Sequence, residues 1–226
     1  MDMLDLKELG VRGANSVLHD LSKSRAKSYK INNPMGQHSI ACGLDAPMQI
    51  KIEGHVGFYC GGMNQHAEIK VNGHAGVGLA ENMMSGRIHV SGNASESAGA
   101  TAHGGLLVID GDASSRCGIS MKGVDIVVGG SVGHMSAFMA QSGCLVICGD
   151  AGDALGDSIY EAIIFVRGKV ASLGTDCIEK EMRPEHQAKL KELLEASSLQ
   201  ADSTEFRRYG SARTLYNFDV DNADAY

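Results

Sequence analysis

The 226 residues carry a formal net charge of −7 at pH 7, 29 glycines, three prolines, six cysteines and no tryptophan. A chain of this length can bury a core of its own. Its acidic balance argues against a polyanion such as nucleic acid as partner. Glycines that do not recur every third residue exclude collagen, and no run approaches the about eighteen apolar residues that mark a membrane span.

Met1 to Gly10 carries Asp2, Asp5 and Glu8 and no apolar signal core, so a cytoplasmic protein is expected. The cysteines, at 42, 60, 117, 144, 148 and 177, lack the paired spacing of a zinc ribbon and read as free, small, buried side chains. Residues 1–45 form a separate helical or extended segment on this reading. Asn15 would cap a short helix carrying Val17, Leu18 and Leu21, and the basic run Lys23, Arg25, Lys27 and Lys30 would be its solvated end. Asn33-Pro34 and Ala46-Pro47 break helical structure before the next segment.

Residues 46–183 are organised by Gly54, Gly73, Gly92, Gly111, Gly130, Gly149 and Gly168, each nineteen residues from the last. Two positions before them stand Ile52, Val71, Val90, Ile109, Val128, Ile147 and Val166, and four before them another apolar column from Ile50 to Ile164. Repetition at several offsets over seven copies marks a repeat architecture. Nineteen residues is too short for a propeller blade, and no long amphipathic segment supports a helical repeat. One short strand per repeat, with alternating apolar residues, fits one turn of a parallel β-solenoid. The fold class is therefore all-β, a single-stranded right-handed parallel β-helix of about seven rungs with short helical extensions. Its glycines are expected at corners of positive φ. The string Gly73-His74-Ala75-Gly76-Val77-Gly78 resembles a phosphate-cradling loop, but a rung follows it where that loop needs a helix.

One outward column runs Lys51, Lys70, His89, Val108, Val127, Val146, Phe165. It changes from polar to apolar midway, so the second half should be covered, by a terminal segment of this chain or by another subunit. A second column, His55, His74, Asn93, Asp112, Ser131, Asp150, Lys169, reads as a solvated face. His55 and His74 lie about one rung apart there, within reach of a shared metal, yet no further ligand joins them. Asp110 and Asp112 are the nearest match to the acidic groove of a pectin-degrading β-helix, and Asp-Gly-Asp is more simply a corner. No catalytic, cofactor-binding or metal-binding residue is assigned.

Residues 184–226 open on Pro184 and a helix with Leu190, Leu193 and Leu194 on one side, which would cap the end of the solenoid. The tail beyond it holds Phe206, Tyr209, Tyr216, Phe218 and Tyr226, five of the chain's eleven aromatics, which suits docking on a partner. The candidate interface is thus Val108, Val127, Val146 and Phe165 together with Phe206, Tyr209, Tyr216 and Phe218.

The segments MMSGRIHVSG, SMKGVDIVVGG and AQSGCLVICGD resemble the Gly-x-Gly-x-Gly β-helix domain of the glutamate synthase large-subunit family. A copy of about this length, with these extensions, is similar to the stand-alone β-helix subunit of N-methylglutamate synthase. Related subunits serve archaeal-type glutamate synthases and formylmethanofuran dehydrogenase. The resemblance implies a non-catalytic scaffold subunit. An amidotransferase-like subunit and an FMN- and iron–sulfur-containing synthase subunit would be its partners, and methylamine and glutamate would give N-methylglutamate and ammonia. An independent carbohydrate-binding or carbohydrate-active β-helix is the competing class.

Overall fold

Each nineteen-residue repeat closes one turn of a parallel β-solenoid in the computed structural model, which describes residues 1–20 and 28–213. The elements are β1 (Asp2–Asp5), α1 (Leu6–His19), β2 (Ser28–Asn32), β3 (Gln49–Glu53), β4 (Glu68–Asn72), β5 (Arg87–Val90), β6 (Leu106–Ile109), β7 (Lys122–Val128), β8 (Ser142–Ile147), β9 (Ile163–Val166), β10 (Cys177–Lys180), α2 (Pro184–Ser197) and β11 (Arg207–Ser211). All eleven strands form one sheet in the order β1-β2-β3-β4-β5-β6-β7-β8-β9-β11-β10. From β3 to β9 the register places equivalent residues in line, Ile50 beside Ile69, Ile88, Leu107, Ile126, Leu145 and Ile164. A second side of each turn is held by single bridges along Val56, Ala75, Ala94, Ala113, Val132, Ala151 and Val170. Both columns fill the buried core, where branched side chains stack on copies of themselves.

The solenoid starts earlier than the 46–183 boundary of the repeat. β2 pairs in register with β3, and its Tyr29 and Ile31 are buried in line with Ile50 and Ile52. This turn spans 21 residues, and Asn33, at φ 56, takes the place that glycine holds later. The Asn33 amide donates to both carboxylate oxygens of Asp5, the residue that caps α1 by accepting the Lys7 N–H. Asn15 is therefore not a cap. From within α1 it donates to the Ser39 carbonyl and accepts the Ala41 N–H, while Leu6, Ala14 and Leu18 are buried, so that α1 closes the N-terminal end of the rod. Leu21, Lys23, Arg25 and Lys27 lie outside the described residues; Lys30 sits in β2 and pairs with Glu53 at 3.5 Å.

The organising glycines differ from expectation in their physical reason. Of the seven, only Gly54 has positive φ, at +131°. Left-handed residues instead alternate on the far side of each turn, as at Tyr59, Gly61 and Met63 (φ 60, 65 and 56°). The other six glycines are required by proximity to the preceding rung. A Cβ on Gly73 would lie 2.6 Å from the Gly54 carbonyl oxygen, and one on Gly149 would lie 2.7 Å from that of Gly130 and 2.5 Å from Ser131 Oγ. Gly149→Ala should therefore cost about 2–4 kcal/mol in urea denaturation, as an overpacked contact with backbone that cannot yield. Gly36→Ala, at φ +71° with open space around it, should cost only about 1 kcal/mol.

Candidate interaction surfaces

The apolar outer column is covered by this chain itself. Val127, Val146, Phe165, Cys144 and Cys148 pack with Leu190, Leu193 and Leu194 of α2 and with Phe206 in a second, smaller core outside the sheet. Val108 is also fully buried. α2 therefore lies on the outer face and does not cap the rod's end. Its three leucines find their apolar complement on the face, and Lys189 fixes the docking with a 3.0 Å ion pair to Asp125. Burial, the largest single influence, opposes the charge on Lys189, but the hydrogen bond to Asp125 and the attraction of Asp125 and Glu192 together outweigh it and raise the pKa. Phe206 and Tyr209, expected to meet a partner, are 5% and 2% exposed, Phe206 in the outer layer and Tyr209 in the main core. Tyr216 and Phe218 lie outside the described residues.

The same column continues uncovered at Lys30, Lys51, Lys70 and His89, beside a shallow groove of about 240 Å³. Lys51 pairs with Glu53 at 2.7 Å, and His89 Nε2 donates to Asp110 at 2.8 Å. Hydrogen bonds from Lys51 and Asn72 hold the Glu53 pKa down to about 2.

The column from His55 to Lys169 is a hydrogen-bond ladder rather than a merely solvated face. His55 Nδ1 accepts the His74 N–H at 3.0 Å, and His74 Nδ1 accepts the Asn93 N–H at 2.8 Å. Asn93 then accepts from Asp112, Asp112 from Ser131, Ser131 from Asp150 and Asp150 from Lys169, each at 2.7–3.0 Å. Each side chain satisfies a backbone donor of the next rung, and several lie across the glycine just before that donor, as Asn93 does at Gly111. Acceptance at Nδ1 puts the proton of both imidazoles on Nε2. Their rings stack 4.9 Å apart at 16°, so they do not converge on an ion. Among the described residues no group of three or more His, Cys, Asp or Glu is placed to hold a metal. Asp110 and Asp112 are likewise divided between different partners, the His89 ring and the Ser131 N–H. The ladder was open to sequence reasoning, since all six residues from His55 to Asp150 carry a side-chain acceptor.

The cysteines are free, and Cys60, Cys117, Cys144, Cys148 and Cys177 are buried. Burial pushes the thiols of Cys117 and Cys144 up to about 12 and that of Cys177 to about 11. They do not fit an iron–sulfur cluster: Cys60 and Cys117 lie in the interior core, while Cys144 and Cys148 lie under α2.

The described residues thus form a rod of stacked glycines bound turn to turn by an acceptor ladder. Residues 19–218 match the family described as GXGXG motif. The chain belongs to the GXGXG family. It is also similar to Protein GlxC of Rhizobium meliloti (strain 1021), with 59% identity over 228 residues and 100% of both chains covered. Membership agrees with the stacked glycines. No helix among the described residues is long and apolar enough to cross a membrane.

Three outcomes follow from these contacts. Val127→Asp, which buries an unpaired carboxylate beneath α2, should cost at least about 3 kcal/mol in urea denaturation and make Cys144 reactive to a thiol reagent under native conditions. Asp112→Ala should cost about 1 kcal/mol by orphaning the Ser131 N–H, whereas Asp112→Asn keeps an acceptor and should be close to neutral. The folded Glu53 pKa lies below its ordinary 4.5, so its stabilisation is complete above that pH and fades as pH falls toward about 2. Glu53→Gln should flatten the acid limb of a stability curve measured over that window.

Proposed function

We propose that this chain is the non-catalytic β-helix subunit of a multisubunit glutamate-synthase-like complex, and specifically of N-methylglutamate synthase. The observation that carries the reading is the family match over residues 19–218, on the repeats that resemble the glutamate synthase β-helix domain. The rod's chemistry agrees with a structural role. Its ladder side chains are engaged in binding one rung to the next, and burial holds the thiols of Cys117 in the core and Cys144 under α2 protonated. In this reading an amidotransferase-like subunit and an FMN- and iron–sulfur-containing synthase subunit supply the reaction in the cytoplasm, converting methylamine and glutamate to N-methylglutamate and ammonia. The rod holds the two in fixed relation.

Purification of the tagged chain from its native cells tests this. The expected product is a yellow complex with two larger proteins that forms N-methylglutamate from methylamine and glutamate. Activity with glutamine and 2-oxoglutarate instead would reassign it to a conventional glutamate synthase. An active, colourless monomer would overturn the subunit reading.

A further inference from the structure

The two ends of the rod are finished differently. α1 buries Leu6, Ala14 and Leu18 against the first turn, whereas the last turn is continued on only one of its sides, by β11 and β10. On its other sides Val170 and Leu173 bridge back to Ala151 and Leu155, and no bridge among the described residues continues beyond them. One apolar pair shows the consequence: Leu155 is 1% exposed and its bridge partner Leu173 is 38% exposed.

β10 is the outermost strand at this end, with β11 as its neighbour and no strand among the described residues on its other edge. Its Ile178 is 43% exposed. The register sets Lys180 directly across from Arg208, which is in turn across from Phe165 of the outer face. Like charges directly opposed weaken a strand pair. Neither Lys180 nor Arg208 has an ion-pair partner among the described residues, although Arg208 donates to the Glu181 carbonyl at 2.7 Å. The nearby Arg183 is shared between Glu181 and Glu185, at 3.8 and 4.0 Å. Burial lowers the pKa of Lys180, and repulsion by Arg208 and Arg183 lowers it further. Glu185 and Glu181 attract Arg208 from beyond ion-pair distance, whereas Lys180 faces only Arg208 and Arg183. An exposed core side chain, an open strand edge and, at Lys180, a positive charge with no carboxylate paired to it among the described residues thus meet at this end of the rod.

We propose that β10 and Leu173 form a docking edge for a partner subunit, an extended acidic segment of which adds a strand to β10 and sets carboxylates against Lys180 and Arg208. Alternation along that strand would place one set of side chains over Leu173 and the other beside Ile178 and Lys180. Main-chain hydrogen bonds to the edge supply affinity, and the charges supply orientation. A second copy of this chain suits the edge poorly, because it would bring another Lys180–Arg208 pair to the same place. The proposal rests on the subunit reading and names where one partner of that complex binds.

The test uses the tagged full-length chain recovered from native cells as wild type, Lys180→Glu and Leu173→Asp. Both substituted positions are exposed, and circular dichroism on each purified chain checks folding. Lys70→Glu, on the open groove away from this end, is the control. The expected result is about tenfold or greater loss of one partner with Lys180→Glu and with Leu173→Asp, none with Lys70→Glu, and wild-type recovery that weakens as salt is raised. Folded variants that retain both partners at wild-type yield would overturn the docking edge while leaving the subunit reading intact. Self-association lost with Leu173→Asp while both partners stay bound would also overturn it, in favour of a second copy. Failure of the wild-type chain to recover any partner would remove the subunit reading on which it stands.

Discussion

Successive turns of this chain approach to the spacing of hydrogen-bonded strands, roughly 4.8 Å, and that spacing constrains every other feature. A residue in one turn has its own equivalent as nearest neighbour in the next, so each column must tolerate contact with itself. Branched apolar residues do so inside, where Ile50 to Ile164 stack in register. At the corner the backbone of one turn lies so near the next that a Cβ on Gly73 or Gly149 would collide with a carbonyl. The glycines therefore recur because stacking leaves no volume, not because the chain must turn in a left-handed sense there. Where left-handed conformations are needed, on the far side of each turn, the chain uses Tyr59, Asn82, Ser97 and Arg116 as readily as glycine. Inter-rung hydrogen bonds on both sides, such as the Tyr59 N–H to the Val77 carbonyl, hold those residues in place.

The same spacing decides what polar side chains can do. A backbone donor at each corner faces a side chain one rung back, and His, Asn, Asp and Ser serve alike as acceptors. Side chains of several chemical types thus form one continuous structural ladder. On the outer face the division is sharp. The rungs from Val127 to Phe165 are sealed by α2, while those from Lys30 to His89 remain open. The chain has used its own C-terminal helix to cover the half of the sheet that could not face water.

Much of the fold was legible because the constraint is periodic. The nineteen-residue recurrence of glycine, β-branched residue and small residue specified strand, register and solenoid together. The first turn was hidden by two additional residues and by Asn33 standing where glycine does later. The apolar column from Val108 to Phe165 was correctly read as covered, but the sequence left open what covers it. Three leucines on a helix are compatible with a rod's end or a rod's flank, and the packing of those leucines and Phe206 on Val127, Val146 and Phe165, with Lys189 against Asp125, decides for the flank. Phe206 and Tyr209 looked like partner anchors because aromatics far from a repeat have no visible neighbours in sequence; folding brings Tyr209 beside Ile164. The Lys180–Arg208 opposition arises from an antiparallel pairing that no repeat encodes.

A stacked rod of this kind has its own side chains engaged in holding itself together, and its free chemistry lies at its margins. In the proposed complex its value would be geometric, in fixing the distance and orientation of the subunits that perform the reaction. The most direct measurement compares the proposed complex assembled with and without this chain, following reduction of the flavin proposed for its synthase subunit and, separately, product formation. The account predicts that flavin reduction survives removal of the rod while product formation is lost and returns when the folded chain is added back. Undiminished product formation without the chain, or turnover by the chain alone, would contradict it.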